Sequence, residues 1–152
     1  MDKIYIEKDE TYGRYKFLDY DDFINSFGCQ VLFKDDEGDY QGDTFVLYKD
    51  NHNNKYGYLC FGWGSCSGCD SLQSLNDYLN YGGYEHDEKQ KLVDNFQDEL
   101  HRDIKWFDSA QEALEWFKNK DWSLEYNYSK EFMENSINYL EKVTNEIQNQ
   151  AG

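Results

Sequence analysis

The order of apolar and polar residues predicts a β-meander in the first half of the chain. Segments 29–34, 44–49 and 56–63 are rich in β-branched and aromatic residues, and the turn-rich stretches DDEGDYQGD and DNHNN separate them. Such runs joined by short polar turns are typical of antiparallel strands. In the third strand, alternation puts Tyr56, Tyr58 and Cys60 on one face and Leu59, Phe61 and Trp63 on the other. We expect both faces of this strand to be at least half-buried.

From residue 70 onward the apolar residues recur at the spacing of an α-helix. Helices are predicted over 70–80, over roughly 87–105, from Ser109 onward and over about 130–148. Asp70 with Gln73, and Ser109 with Glu112, have the three-residue spacing of a capping box, which marks the start of a helix.

Three shorter segments carry weaker patterns. KIYIEK (3–8) and WSLEY (122–126) alternate as strands do, and DDFINSFG (21–28) resembles a short helix ended by Gly28. Together with the stronger segments they predict an α+β fold, with an antiparallel β-meander in the N-terminal half covered by C-terminal helices. The chain has no proline, no repeat and no low-complexity linker, so we expect a single domain over 1–152.

The net charge of −16 narrows the range of partners. Residues 1–80 hold 7 basic and 15 acidic side chains, and residues 81–152 hold 8 and 16, so the acidity is spread along the whole chain. Repulsion between this charge and phosphate groups argues against direct binding to nucleic acid or to an anionic membrane and favours a basic protein partner. No run of 18 apolar residues and no export signal occurs, which predicts a soluble, cytoplasmic protein.

The stretch FGWGSCSGCDSLQ (61–73) contains the candidate metal site. Cys66 and Cys69 form a C-x-x-C pair, Cys60 is a third candidate zinc ligand, and Cys29 or His52 is a candidate fourth. The second half of the usual zinc signature is missing. Two alternatives stay open: a redox dithiol next to the start of a helix, and a tight glycine-rich turn with no chemistry. The expected cofactor is therefore none, with zinc as the alternative.

Two acidic clusters are the candidate partner-binding residues. The first is a predicted hairpin loop that uses Gly38 and Gly42 for positive φ, and its members are Asp35, Asp36, Glu37, Asp39, Tyr40 and Asp43. The second is on the helix predicted over 87–105, where Asp94 with Asp98 and Glu99 with Asp103 are four residues apart. That spacing puts side-chain bases about 5–6 Å apart, which suits an array of lysines and arginines. Tyr40, flanked by carboxylates, is a candidate interface anchor.

The segments YQGDTFVLYKD, YGYLCFGWGSCSGCDSLQ and EALEWFKNKDW resemble a group of small phage and bacterial proteins with a glycine-rich SCSGCD-type motif. The likeness covers residues 38–145 and implies no particular chemistry. In size and uniform acidity the chain also resembles phage inhibitors of host defence, such as anti-CRISPR and anti-restriction proteins. That second likeness implies an inhibitor acting in the host cytoplasm.

No nucleophile elbow, Walker loop or dinucleotide-binding fingerprint occurs, so we do not expect an enzyme. The leading hypothesis is a non-enzymatic acidic protein that occupies the basic nucleic-acid groove of a host defence nuclease, in the manner of a DNA mimic. One alternative is a small zinc- or thiol-dependent protein centred on the C-x-x-C pair. Another is an acidic immunity protein that neutralises a basic toxin.

Overall fold

The structure, a computed structural model, describes residues 1–64, 70–124 and 128–151. Its internal contacts divide the chain into two compact units. Unit 1 comprises Met1–Gly28 and Trp63–Asp103, and unit 2 comprises Cys29–Gly62 and Ile104–Gly152. The single domain expected over 1–152 stays a prediction.

Unit 1 is mostly helical. A two-residue ladder pairs β1 (Lys8–Asp9) with β2 (Arg14–Tyr15), and three helices follow: α1 (Tyr20–Ile24), α2 (Ser71–Tyr81) and α3 (His86–Arg102). Asp19 caps α1 and Asp70 caps α2, where it accepts the N–H groups of Leu72 and Gln73 as the spacing predicted. The apolar core of this unit includes Phe23, Ile24, Leu72, Leu75, Leu79 and Val93.

The strand predicted over 3–8 is wrong except at Lys8, which belongs to β1. For the residues before it, side chains of α3 take the place of a neighbouring strand. Gln90 accepts the N–H of Ile6 at 3.0 Å and donates to the carbonyl of Ile4 at 2.7 Å. About two turns of helix further, Gln97 donates to the carbonyl of Asp2 at 2.7 Å. The first residues are therefore extended but pair with amide side chains.

Helix α2 holds the next part of the N-terminal chain in the same way. Asn76 accepts the N–H of Leu18 at 3.0 Å and donates to the carbonyl of Leu18 at 2.8 Å. Asn80 accepts the N–H of Tyr15 at 2.9 Å. Asn76 is only 6% exposed, so its amide takes the place of water for the Leu18 backbone.

Unit 2 contains the predicted meander. The strands β3 (Gln30–Gly38), β4 (Gly42–Asp50) and β5 (Lys55–Trp63) lie in sequential order, and β6 (Lys105–Phe107) pairs antiparallel with β5. Two helices follow, α4 (Ala110–Asn119) and α5 (Lys130–Ala151). Ser109 caps α4 by accepting the N–H of Glu112, as the capping box predicted. The α+β class is confirmed.

The core of unit 2 is built from aromatic rings between the sheet and these two helices. Phe45 and Tyr58 of the sheet pack with Phe117 of α4, Phe132 of α5 and Trp122. Most of these ring pairs are tilted or edge-to-face, with centroids between 5.1 and 6.5 Å apart. This is the favoured geometry for aromatic pairs. The prediction that Tyr56 and Tyr58 lie on one face and Leu59 on the other is confirmed, and all three are buried.

Two further predictions are wrong. The helix predicted over 87–105 ends at Arg102, and Lys105–Phe107 form β6 instead, because Gly57 has no side chain to obstruct Trp106. The strand predicted over 122–126 begins as a 3₁₀ turn, Trp122–Leu124, in which the Trp122 indole N–H donates to the carbonyl of Phe117 at 2.9 Å. Residues 125 and 126 lie outside the described part of the chain.

Within the described ranges, no helix has both the length and the apolar character that spanning a membrane requires.

The pairing of Asn76 with the Leu18 backbone predicts a large and specific loss of stability. Replacing the amide, Asn76→Leu, leaves a buried N–H and a buried C=O without partners, and should lower the free energy of unfolding by about 3 kcal/mol. Urea denaturation measures this change in the free energy of unfolding. The matched control, Asn95→Leu on the exposed face of α3, should change it by less than about 0.5 kcal/mol. Equal effects of the two substitutions would contradict the assignment.

Candidate functional site

The first acidic cluster lies at the β3–β4 hairpin, and its loop is shorter than predicted. Gly38 pairs with Gly42, so Asp35, Asp36 and Glu37 belong to β3 and only residues 39–41 form the turn. Gly38 has φ +124°, and a Cβ there would lie 2.2 Å from the carbonyl oxygen of Gln41. The prediction of positive φ is therefore confirmed at Gly38 and wrong at Gly42.

Because these residues are in a strand, the carboxylates divide between the two faces of the sheet. Asp35 lies opposite Phe45 and Glu37 lies opposite Asp43, whereas Asp36 lies on the other face opposite Thr44. The Thr44 hydroxyl donates to Asp36, and the Lys34 ammonium is 3.8 Å from the same carboxylate. The cluster predicted as one patch is thus two groups, one on each face.

Two carboxylates of the cluster, Asp35 and Glu37, lie close to Glu131 near the start of α5. The Ser129 hydroxyl donates to Asp35 and accepts the N–H of Phe132 at 3.1 Å, which caps the helix. Partial removal from water, a hydrogen bond shared with Asp35 and the charges of Asp35 and Glu131 raise the pKa of Glu37, although Ser129 opposes the shift. The raised pKa shows that the fold disfavours the charge on Glu37.

Tyr40 lies in the turn that joins β3 to β4. Its side chain is 82% exposed, and its neighbour Asp39 is exposed as well. The hairpin therefore presents an aromatic ring to solvent close to several carboxylates, which is the arrangement expected of an interface anchor.

The second acidic cluster, on α3, does not form the array that the spacing predicted. Asp94 is half-buried and accepts a hydrogen bond from Gln90 at 3.1 Å, so it is already engaged with its own helix. Asp98, Glu99 and Asp103 are exposed, with Arg102 between the last two. Glu99 and Asp103 lie at the C-terminal end of α3, where the helix dipole disfavours negative charge.

The candidate zinc ligands can be placed only in part. Cys66 and Cys69 lie outside the described residues, and Cys60 is half-buried on β5. Burial and the nearby Asp50 carboxylate raise the pKa of the Cys29 thiol, which disfavours the thiolate that zinc requires. His52 is exposed in the β4–β5 turn. No three His, Cys, Asp or Glu side chains of the described ranges come together as a metal site, and the zinc and dithiol hypotheses stay predictions.

Sequence reasoning identified Asp70 as a helix cap but missed its other contacts in unit 1. The Asp70 side chain is only 9% exposed. Besides the N–H groups of α2, it accepts the Tyr20 hydroxyl at 2.8 Å and the N–H of Gly64 at 3.0 Å. Burial and the hydrogen bond to Asp70 raise the pKa of Tyr20, so the phenol keeps its proton. No sequence signal links Tyr20 to Asp70, because the two residues are 50 positions apart in the chain.

A cavity of about 300 Å³ lies beside this carboxylate. Its lining residues are Phe17, Asp19, Tyr20, Gly64, Asp70, Leu72 and Gln73. A second cavity of about 330 Å³ shares Phe17 and is lined by residues that include Arg14, Lys16 and Asp9. Phe17 is 71% exposed, so unit 1 presents an apolar ring at the edge of both cavities.

Comparison of the chain with protein-family models, with curated proteins and with solved structures finds no match.

The crowding around Glu37 predicts a pH-dependent gain in stability for Glu37→Gln. At neutral pH the substitution removes a charge that the folded state disfavours, so it should raise the free energy of unfolding by up to about 1 kcal/mol. Because the pKa of Glu37 is raised, the folded state binds this proton at a higher pH than the unfolded state. The gain in stability should shrink as the pH falls through the range between the pKa of Glu37 in the folded state and its pKa in the unfolded state. It should vanish below pH 4.5, the ordinary pKa of a glutamate.

Urea denaturation at several pH values measures the effect of Glu37→Gln. Its control is the same substitution in an Asp35→Asn background, where the neighbouring charge is already absent and the gain should be smaller. A gain that is independent of pH and of Asp35 would show that repulsion is not its cause.

Proposed function

We propose that this chain is a non-enzymatic acidic binding protein that occupies a basic groove of another protein. The groove is the nucleic-acid-binding groove of a host defence nuclease. By occupying it, the chain acts as a phage-type inhibitor of that nuclease. The observation that carries the proposal is the β3–β4 hairpin, where Tyr40 lies exposed close to carboxylates that repel one another.

The repulsion supports a binding role because it lowers the stability of the folded chain. Glu37 lies directly opposite Asp43 and shares its face of β3 with Asp35, and like charges at such positions are unfavourable. A partner that supplies lysine or arginine side chains would relieve this repulsion on binding. The free energy lost in folding would then be recovered in the complex.

The hairpin also has the chemical groups that a nucleic-acid groove recognises. Carboxylates replace phosphates as anionic acceptors for arginine and lysine. The exposed ring of Tyr40 replaces a base as a flat surface for stacking. Within unit 1, the exposed carboxylates Asp98, Glu99 and Asp103 of α3 offer a second anionic surface.

The test uses the immobilised chain to capture a partner from host extract at low salt, followed by purification of that partner. The hairpin variant Glu37→Gln/Asp39→Asn/Tyr40→Ala should bind the purified partner at least about tenfold more weakly, a loss of roughly 1.4 kcal/mol. The matched control is Glu115→Gln/Glu146→Gln/Leu124→Ala, which removes the same charge and an equally exposed apolar residue, since Leu124 is also 82% exposed. The control should bind as the parent chain does.

Two further measurements separate the proposed groove from other basic surfaces. Binding should weaken as salt rises, because the attraction is electrostatic. A DNA duplex should displace the chain from the partner, and the chain should inhibit the partner's nuclease activity.

Three outcomes would contradict the proposal in different ways. A partner that binds DNA and the chain simultaneously would refute occupation of the nucleic-acid groove. A secreted or co-encoded toxin as partner would favour the immunity role. Equal losses for the hairpin variant and its control would refute the hairpin as the interface.

A further inference from the structure

We propose that the cavity beside Asp70 in unit 1 binds the arginine side chain of a peptide or protein, with the guanidinium between Asp19 and Asp70 and against the ring of Phe17. The proposal concerns residues of unit 1 and does not depend on the function proposed for the hairpin of unit 2.

The charge of the cavity lining favours a cation. Among the residues that the structure describes, the lining contains two carboxylates, Asp19 and Asp70, and no lysine, arginine or histidine. No cation of the described ranges forms an ion pair with Asp70, although this side chain is only 9% exposed. Charged groups this deeply buried are normally paired. The N-terminus of α2 offsets only about half a unit of the charge, so the lining stays negative.

The oxygens of the two carboxylates can accept further hydrogen bonds. A carboxylate can accept about four hydrogen bonds, two at each oxygen. In Asp70, Oδ1 accepts from Tyr20, Leu72 and Gln73, whereas Oδ2 accepts from one described residue, Gly64. In Asp19, Oδ1 accepts the N–H of Asp22, and Oδ2 accepts from no described residue. One oxygen of each carboxylate can therefore accept a further donor.

The exposed ring at the cavity edge offers a surface on which a guanidinium can stack. Phe17 is 71% exposed and contacts no other aromatic ring among the described residues. A guanidinium stacks on such a ring and at the same time donates several hydrogen bonds to carboxylates, which a compact ammonium does less well. The volume of about 300 Å³ is at the small end for ligand sites, which suits one side chain better than a larger molecule.

The neighbouring cavity shows why the cation is assigned to this one. It shares Phe17, but its lining carries two cations, Arg14 and Lys16, beside the carboxylate of Asp9, and Lys16 pairs with Glu7 at 2.6 Å. The charges on that side of Phe17 therefore nearly cancel, so it offers a guanidinium no excess of negative charge. The two sides of the ring therefore differ in charge, and the Asp70 side is the one that attracts a cation.

The test is a titration with the peptide acetyl-Gly-Arg-Gly-amide, followed by the backbone amide signals of the intact chain in NMR. We expect weak binding, with a Kd on the order of 1 mM, and signal shifts concentrated at Gly64, Leu72 and Gln73. The same peptide with citrulline, which has the shape of arginine without its charge, should bind at least tenfold more weakly. Equal binding of the two peptides, or shifts spread over the whole chain, would overturn the proposal.

Two variants test the named side chains. Asp19→Asn keeps the helix cap, because asparagine caps as well as aspartate, and Phe17→Ala removes only an exposed ring. Each should weaken binding of the arginine peptide severalfold, whereas Glu10→Gln, at an exposed carboxylate outside the cavity lining, should leave it unchanged. Equal losses for Asp19→Asn and Glu10→Gln would reduce the effect to net charge and refute the site.

Two further ligands test the source of the cation. The matching lysine peptide should bind more weakly than the arginine peptide, and equal binding would refute selection of a guanidinium. Free ethylguanidinium should also bind more weakly than the arginine peptide. If it binds equally well, the site is one for small cations, and the assignment to a peptide or protein side chain is overturned.

Discussion

The conformation of the first 28 residues is governed by one constraint: buried N–H and C=O groups need hydrogen-bond partners. The β1–β2 ladder contains only two residue pairs, so it can supply few of those partners. Amide side chains of α2 and α3 supply those partners. Asn76 and Gln90 each accept from one backbone group and donate to another, which is the hydrogen-bonding pattern of a neighbouring peptide unit. The helices of unit 1 thereby take the place of a neighbouring strand for the N-terminal chain.

Local patterns predicted the elements of unit 2 well and the N-terminal chain of unit 1 poorly. The three strands of the meander and the caps at Asp70 and Ser109 depend on residues a few positions apart, so the sequence shows them. The chain before Tyr20 depends on amides more than 55 residues away, and in a helical pattern those amides look like ordinary solvent-facing residues. The acidic residues of the hairpin could be named from the sequence, but their division between faces depends on where β3 ends, which Gly38 determines.

The hairpin and the cavity beside Asp70 place negative charge in opposite physical settings. At the hairpin, carboxylates repel one another at the surface, where water weakens the interaction but leaves a net cost. Beside Asp70, hydrogen bonds from backbone and phenol hold one carboxylate in place almost out of contact with water. The first setting favours rapid capture of a broad basic surface, whereas the second favours recognition of a single group of defined shape.

Asp70 also has a consequence for how this chain can vary. Its carboxylate accepts the N–H of Gly64 at one oxygen and the N–H groups of Leu72 and Gln73 at the other, so one side chain holds two segments of unit 1. A residue with a single acceptor oxygen cannot make both sets of hydrogen bonds. Substitution of Asp70 therefore disturbs Gly64 and the start of α2 together, which makes this position less tolerant of change than an ordinary helix cap.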